Sequence, residues 1–309
     1  MQYQIYFRIS RGGIGIPYEL AKIEFLTVFH RFGLEIKREL WARHRMWIEL
    51  SLPPDRVAVI AADLGYTKAI LHLRPEPYCG EVLSPIERGH WYIGWVRQGE
   101  WKVYQTEVYV QDTESLLANA PDKRMFEIQH EGEKRSVFGH HSHRALSTLD
   151  ARFLLNIANA KSTNAILDPF AGFGGLVFEA KRRGLRITVS DIDVSLAPGL
   201  SMLEPETYFV ADARCLPLPT DYFDLIITEP PFRTSYRQAV MDSLAELHRV
   251  LKPKGRLILL IAMDMCQGIR PSFERMGADV ELIGVIPRGG GLKCPVLKIT
   301  KSLTDRLGV

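Results

Sequence analysis

Three apolar segments of this chain each end in an acidic residue, and a glycine-rich run follows the first. Ala165-Ile166-Leu167-Asp168 leads into Pro169-Phe170-Ala171-Gly172-Phe173-Gly174-Gly175. Val189-Ser190-Asp191-Ile192-Asp193 comes next, and Phe209-Val210-Ala211-Asp212-Ala213 follows it. A helical pattern over Gly175–Arg183 lies between the first two. Strands that recur at this spacing with helices between them are parallel neighbours, because parallel pairing needs a crossover connection. The result is a doubly wound α/β sheet. Such sheets bind ligands beyond the carboxyl ends of their strands, so all three acids belong to one binding edge.

The pattern continues to the end of the chain. The spacing predicts strands over Arg186–Ser190, Thr207–Val210 and Asp224–Thr228 and an amphipathic helix over Tyr236–Leu251. Lys252-Pro253-Lys254-Gly255 stops that helix. Arg256–Met263 reads as a strand buried on both faces, and Pro271–Met276 as a helix. Val280–Ile286 and Leu292–Thr300 are the last strands, and Gly289-Gly290-Gly291 joins them as a hairpin, so the final strand runs antiparallel.

The glycine run has its own chemistry. Gly172, Gly174 and Gly175 allow backbone amides to approach a ligand at the positive end of a helix. The spacing differs from the dinucleotide pattern G-x-G-x-x-G. Asp168 at its entrance suits a ligand with a cationic end, such as the amino-acid portion of S-adenosylmethionine. Asp191 stands where an acid beyond a glycine turn meets ribose hydroxyls. Asp193 competes for that role, or caps the next segment. Asp212 suits an adenine amino group. A tight turn without ligand is the plain alternative for the run taken alone.

A second run, Glu229-Pro230-Pro231-Phe232, stands at the tip of the strand Asp224–Thr228. Two prolines fix φ and remove two N–H donors. The carbonyls of Glu229 and Pro230 therefore sit in a stiff, extended turn with no competing amide. An exocyclic amine on a planar base needs such acceptors, because its lone pair is delocalised into the ring. Phe232 offers a stacking face. Arg233 and Arg237 follow and suit a substrate phosphate, or simply lie on the surface of a helix start.

At these residues the chain resembles the class I S-adenosylmethionine-dependent amino-methyltransferases. Within them it is nearest to the RNA methylase family that includes the tRNA guanosine N2-methyltransferases of archaea and eukaryotes. The matching motifs are Asp168–Gly175, Ser190-Asp191-Ile192-Asp193 and Ala211-Asp212-Ala213, and Leu146–Arg152 resembles the family's leader helix. The resemblance covers roughly residues 140–265. It implies a seven-stranded Rossmann-like sheet with an antiparallel last strand, in a domain spanning 139–309. It implies S-adenosylmethionine held by Asp168, Phe170, Ala171, Gly172, Gly174, Asp191, Ile192, Asp212 and Ala213. It also implies methyl transfer to an exocyclic base amine, guanine N2 in tRNA, at Glu229, Pro230, Pro231 and Phe232. The family has Asp where this chain has Glu229, and Tyr where it has Phe232. DNA adenine or cytosine N-methylation, protein glutamine N-methylation, and a protein that keeps the cofactor pocket but has lost catalysis are the competing expectations.

Residues 1–138 differ in character. Eight of the nine histidines precede Ala145, and a β-α-β-α opening suits a small α+β, ferredoxin-like unit. Strands are expected over Gln4–Ser10, Trp47–Leu52, Trp91–Val96 and Val103–Val110, and helices over Tyr18–Phe32 and Arg56–Leu64. Family members carry an RNA-binding module here. Lys37, Arg38, Arg43 and Arg45 interleave with Trp41 and Trp47, a composition for phosphate contact and base stacking. A solvated strand face beside two core tryptophans is the alternative. The loop Gly139–His143 could face a substrate cleft. The net charge of +3 permits a nucleic-acid partner without demanding one. Cys79, Cys215, Cys266 and Cys294 lack metal spacing, so no metal site and a reducing cytoplasm are expected. No apolar run approaches a membrane span.

Overall fold

A computed structural model describes residues 1–11, 13–77, 88–97, 100–109 and 146–303. The chain divides into two compact units, Met1–Gly132 and Glu133–Val309. The expected junction after residue 138, the loop at 139–143 and Cys79 lie outside the described residues.

The first unit contains β1 (Gln2–Phe7), the short pair β2 (Ser10–Arg11) and β3 (Ile14–Gly15), α1 (Tyr18–Phe29), β4 (Glu35–Leu40), β5 (Arg45–Glu49), α2 (Pro54–Ala61) and β6 (Thr67–Pro77). The strands lie side by side as β4-β5-β1-β6, all antiparallel. That is a ferredoxin-like βαββαβ arrangement. Two further strands, β7 (Arg88–Arg97) and β8 (Glu100–Tyr109), widen the sheet to six. Ile5, Phe25, Phe29, Met46, Ile48 and Ile70 are buried. The sequence reading has neither β4 nor β6; over β4, Glu35, Lys37, Arg38 and Glu39 obscure any apolar alternation. The structure places this segment at the sheet edge, where charges are tolerated and discourage further pairing.

The second unit runs α3 (Thr148–Ile157), β9 (Ile166–Asp168), α4 (Gly175–Arg182), β10 (Ile187–Asp191), α5 (Ala197–Met202), β11 (Thr207–Val210), β12 (Phe223–Thr228), α6 (Arg237–Val250), β13 (Leu251–Leu260), α7 (Met263–Arg275), β14 (Ala278–Pro287) and β15 (Lys293–Lys301). The sheet order is β11-β10-β9-β12-β13-β15-β14. β15 is antiparallel to both neighbours and the other pairings are parallel. The strand order reverses between β9 and β12, which makes their carboxyl tips the switch point. Leu225, Ile226 and Ile227 of β12 and Leu257 to Leu260 of β13 are wholly buried. On α6, Val240, Leu244 and Leu247 form a stripe at helical spacing against this sheet.

Two boundaries differ from the sequence reading by five residues or more. The strand expected over Arg256–Met263 begins at Leu251 and ends at Leu260; Lys254, at φ +62°, lies in the bulge between its two pairing registers. The helix expected from Pro271 begins at Met263 and carries Pro271 in its interior. An interior proline costs about 3 kcal/mol. Met265, Ile269 and Phe273, four residues apart, are all buried, and each contributes roughly 1.5–3 kcal/mol. The stripe outweighs the proline.

Candidate functional site

β9 ends on Asp168 and β12 on Thr228, at the switch point. Thr228 Oγ1 donates to Asp168 Oδ1 at 2.6 Å, and the Phe170 N–H donates to the same oxygen at 3.2 Å. Asp168 is buried, and its carboxyl is pushed up to about 7, mainly by loss of solvent, with the charges of Asp191 and Glu229 adding to the rise. A cationic group seated on it would restore the ionised form.

The glycine turn is shaped by close neighbours. The Ala171 N–H donates to the Ser190 carbonyl at 3.0 Å, and the Gly172 N–H to Asp191 Oδ2 at 2.8 Å. Gly172 has φ +52°, and a Cβ there would meet only the Phe170 carbonyl oxygen, at 4.0 Å. Among the described residues the space over that backbone is open, so a ligand can approach it. Gly174, at φ +76°, is the N-cap of α4 and leaves room for Leu203. Gly175 touches the Leu146 backbone, since a Cβ on it would lie 2.4 Å from that carbonyl oxygen.

Asp191 also accepts from the Asp193 N–H at 3.0 Å. A carboxylate has about four lone-pair sites, so ribose hydroxyls remain within its capacity. Asp193 caps the next segment through the Ser195 N–H and Oγ, at 2.9 and 2.6 Å, which holds its carboxyl below the usual range. Ile192 is 65% exposed and Ala213 is buried. Asp212 is gripped by Arg214, whose Nη2 stands 2.6 Å away and holds the acid below its ordinary range. Arg214 was not singled out in the sequence. Ser190 Oγ and Tyr208 OH, on the strands at this edge, are buried without a hydrogen-bond partner among the described residues. A buried acid, a second acid with spare acceptor sites and an open glycine backbone fit S-adenosylmethionine.

Glu229-Pro230-Pro231-Phe232 continues directly from Thr228. Pro230 is buried and Pro231 exposed. Phe232 and Phe170 are both half-buried against the core under α6, so the Phe232 ring is fixed by packing. Glu229 Oε1 accepts from Arg288 Nη2 at 2.9 Å. Neither Thr228 nor Arg288 has a local sequence signal: one ends an ordinary strand, and the other precedes a glycine turn. Arg233 is exposed, whereas Arg237 donates to the Asp264 carbonyl.

In the first unit, the basic and aromatic residues lie on the β4–β5 hairpin. Trp41, at its tip, is 64% exposed and stacks on Tyr18 with centroids 6.3 Å apart. Arg38 lies over Trp47 at 5.2 Å and Arg45 over Tyr6 at 4.7 Å. Lys37 sits between Glu35 and Glu49, at 2.7 and 3.0 Å. The Arg43 side chain lies outside the description. Among the described residues no cluster of metal-ligating side chains occurs, and no helix is long and apolar enough to cross a membrane.

The family described as "Methyltransferase domain" matches residues 167–259. A tRNA (guanine(10)-N2)-dimethyltransferase of Methanothermobacter thermautotrophicus is 35% identical over 92 residues, covering 28% of this chain and 27% of that protein. The ubiquinone/menaquinone biosynthesis C-methyltransferase UbiE of Stutzerimonas stutzeri is 32% identical over 120 residues, covering 35% of this chain and 46% of that one. This chain thus spans less than half the length of either relative. The crystal structure of TrmN from Thermus thermophilus aligns over 97% of this chain and all of its own, with TM-score 0.54 and 16% identity, and shares the fold.

Proposed function

We propose that this chain, a class I S-adenosylmethionine-dependent methyltransferase by its fold and its methyltransferase domain, methylates an exocyclic amine of an RNA base, guanine N2 in tRNA first among the candidates. One observation carries the reading. The Glu-Pro-Pro-Phe turn begins one residue after Thr228, and Thr228 is bonded to Asp168 at 2.6 Å. The acceptor clamp and the cofactor acid are therefore held together at the switch point. The tRNA guanine N2-dimethyltransferase relative supports the substrate class.

Asp168 would hold the cofactor's amino group, Asp191 its ribose, and the Gly172–Gly174 backbone would approach it closely. When bound, S-adenosylmethionine would supply an electrophilic methyl group to the amine, its sulfur keeping the electron pair of the C–S bond. The Glu229 and Pro230 carbonyls accept from the amine's two protons and localise its lone pair. Phe232 stacks on the base. A methylated aryl ammonium is acidic, so even a weakly basic Glu229 carboxylate can take its proton. Most of the rate gain is positioning. The β4–β5 hairpin is assigned to RNA docking, through exposed Trp41 and the stacked Arg38 and Arg45.

The test is transfer of a labelled methyl group from S-adenosylmethionine to total tRNA, rRNA and DNA, followed by nuclease digestion. Label in N2-methylguanosine is the expected result. Label in DNA, in protein glutamine or in a carbon-methylated small molecule overturns the substrate. Unchanged transfer in Glu229→Ala overturns the clamp.

A further inference from the structure

The acid that opens the clamp is held by a relay of charges from three separate elements. Glu229 Oε1 lies 2.9 Å from Arg288 Nη2, and the same nitrogen lies 3.3 Å from Asp150 Oδ2. The side chains of Glu229 and Arg288 are each 17% exposed and that of Asp150 is wholly buried. Arg288 follows β14 and closes its turn, donating its N–H to the Leu292 carbonyl at 2.8 Å. Asp150 is fixed in the first turn of α3, where its N–H donates to the Ser147 hydroxyl at 3.2 Å. Among the described residues, Arg288 Nε is buried without a hydrogen-bond partner. A guanidinium in that state is held by its charge partners rather than by saturated hydrogen bonding.

We propose that Arg288 is a positioning residue that holds and charge-balances Glu229, and so sets how strongly the site prefers cationic S-adenosylmethionine over its neutral product, S-adenosylhomocysteine. The inference rests on the assignment of Glu229–Phe232 as the acceptor clamp. Asp168 and Glu229 stand at adjacent strand tips, close enough for the Glu229 charge to act on Asp168. Two acids at a switch point favour a sulfonium over a thioether, and a guanidinium on one of them moderates that preference. The longer side chain acquires a role as well. An aspartate at 229 would be shorter by one C–C bond, about 1.5 Å, and its carboxylate would withdraw from Arg288 beyond ion-pair range. Glutamate is the acid that reaches both the turn and Arg288.

Calorimetric binding of S-adenosylmethionine and S-adenosylhomocysteine tests this on the full chain, with thermal unfolding measured alongside. Arg288→Gln should raise the preference for the sulfonium by roughly three- to tenfold, Glu229→Gln should lower it by a similar factor, and Arg288→Lys should stay within about twofold of the parent. A purely structural Arg288 lowers the unfolding temperature and leaves both ratios unchanged, and that result overturns the proposal. If Arg288→Gln does not fold, the double variant Glu229→Gln/Arg288→Gln decides: a ratio near the parent's upholds the balance, and one equal to that of Glu229→Gln alone overturns it. In methyl transfer, Glu229→Asp should lose activity, and adding Arg288→Gln should cost little more. A gain on Glu229→Asp overturns the proposal. Shifted ratios without RNA methylation by the parent chain uphold the charge balance and sink the acceptor reading. RNA methylation with unshifted ratios does the reverse.

Discussion

Burial favours the neutral form of Asp168, whereas a cationic ligand favours the charged one. Its carboxyl rises from 3.8 to about 7, burial first among the causes. Because the folded value lies above the unfolded one, the folded chain keeps the proton longer. This group's contribution to stability is therefore fully present below about pH 4 and is lost as pH rises through about 7, a loss of up to about 4 kcal/mol. Thermal unfolding from pH 4 to 8 should show that fall, and Asp168→Asn should flatten it. Cofactor affinity should run the opposite way, since a cationic amino group pairs with the ionised acid. Calorimetry should find affinity rising about tenfold per pH unit below 7 and levelling above it, with no such slope in Asp168→Asn. Asp168 was legible in the sequence because the acid and its glycines are neighbours in the chain. Its donor Thr228 was not, because that hydrogen bond spans 60 residues.

Among the elements, the glycine turn and the leader helix depend on one another. Gly175→Ala sets a Cβ 2.4 Å from a backbone carbonyl oxygen, while Gly174→Ala meets the tip of the Leu203 side chain at 2.3 Å. A leucine tip can rotate, whereas a carbonyl moves only with its chain. Gly175→Ala should therefore cost about 3 kcal/mol in denaturant unfolding. Gly174→Ala should cost less than that, chiefly through its positive φ. The two helices are also joined by charge. Arg152 of α3 donates to Glu179 of α4 at 3.0 Å, with side chains 2% and 0% exposed. Glu179→Ala would leave that guanidinium buried without this partner, and a loss of roughly 3–5 kcal/mol is expected from the same unfolding experiment. Periodicity exposed β9 to β12 and α6 well. It failed on β4, where edge charges override propensity, and on the start of α7, where an apolar run serves a strand and a helix equally.

Over the whole molecule, the chemistry and the RNA assignment fall on different units. Replacing Trp41 with Ala should weaken tRNA binding about tenfold, within the roughly 1–3 kcal/mol of a stacked base. S-adenosylmethionine affinity should not change; a parallel loss would show that the hairpin acts on the fold rather than on RNA. By itself the sequence determined the alternation of strand and helix, the glycine turn, the acids at three strand tips and the Glu-Pro-Pro-Phe turn. All of these are local, written in the spacing of neighbouring residues. Only the tertiary structure decided which charges meet. Arg288 reaches Glu229 across 59 residues of chain, and Asp150 joins them from the leader helix, because the fold brings the end of β12, the turn after β14 and the first turn of α3 together. Spacing along a chain carries no trace of such a meeting, since β12 and β14 are separated in the sheet by two other strands and α3 lies outside it.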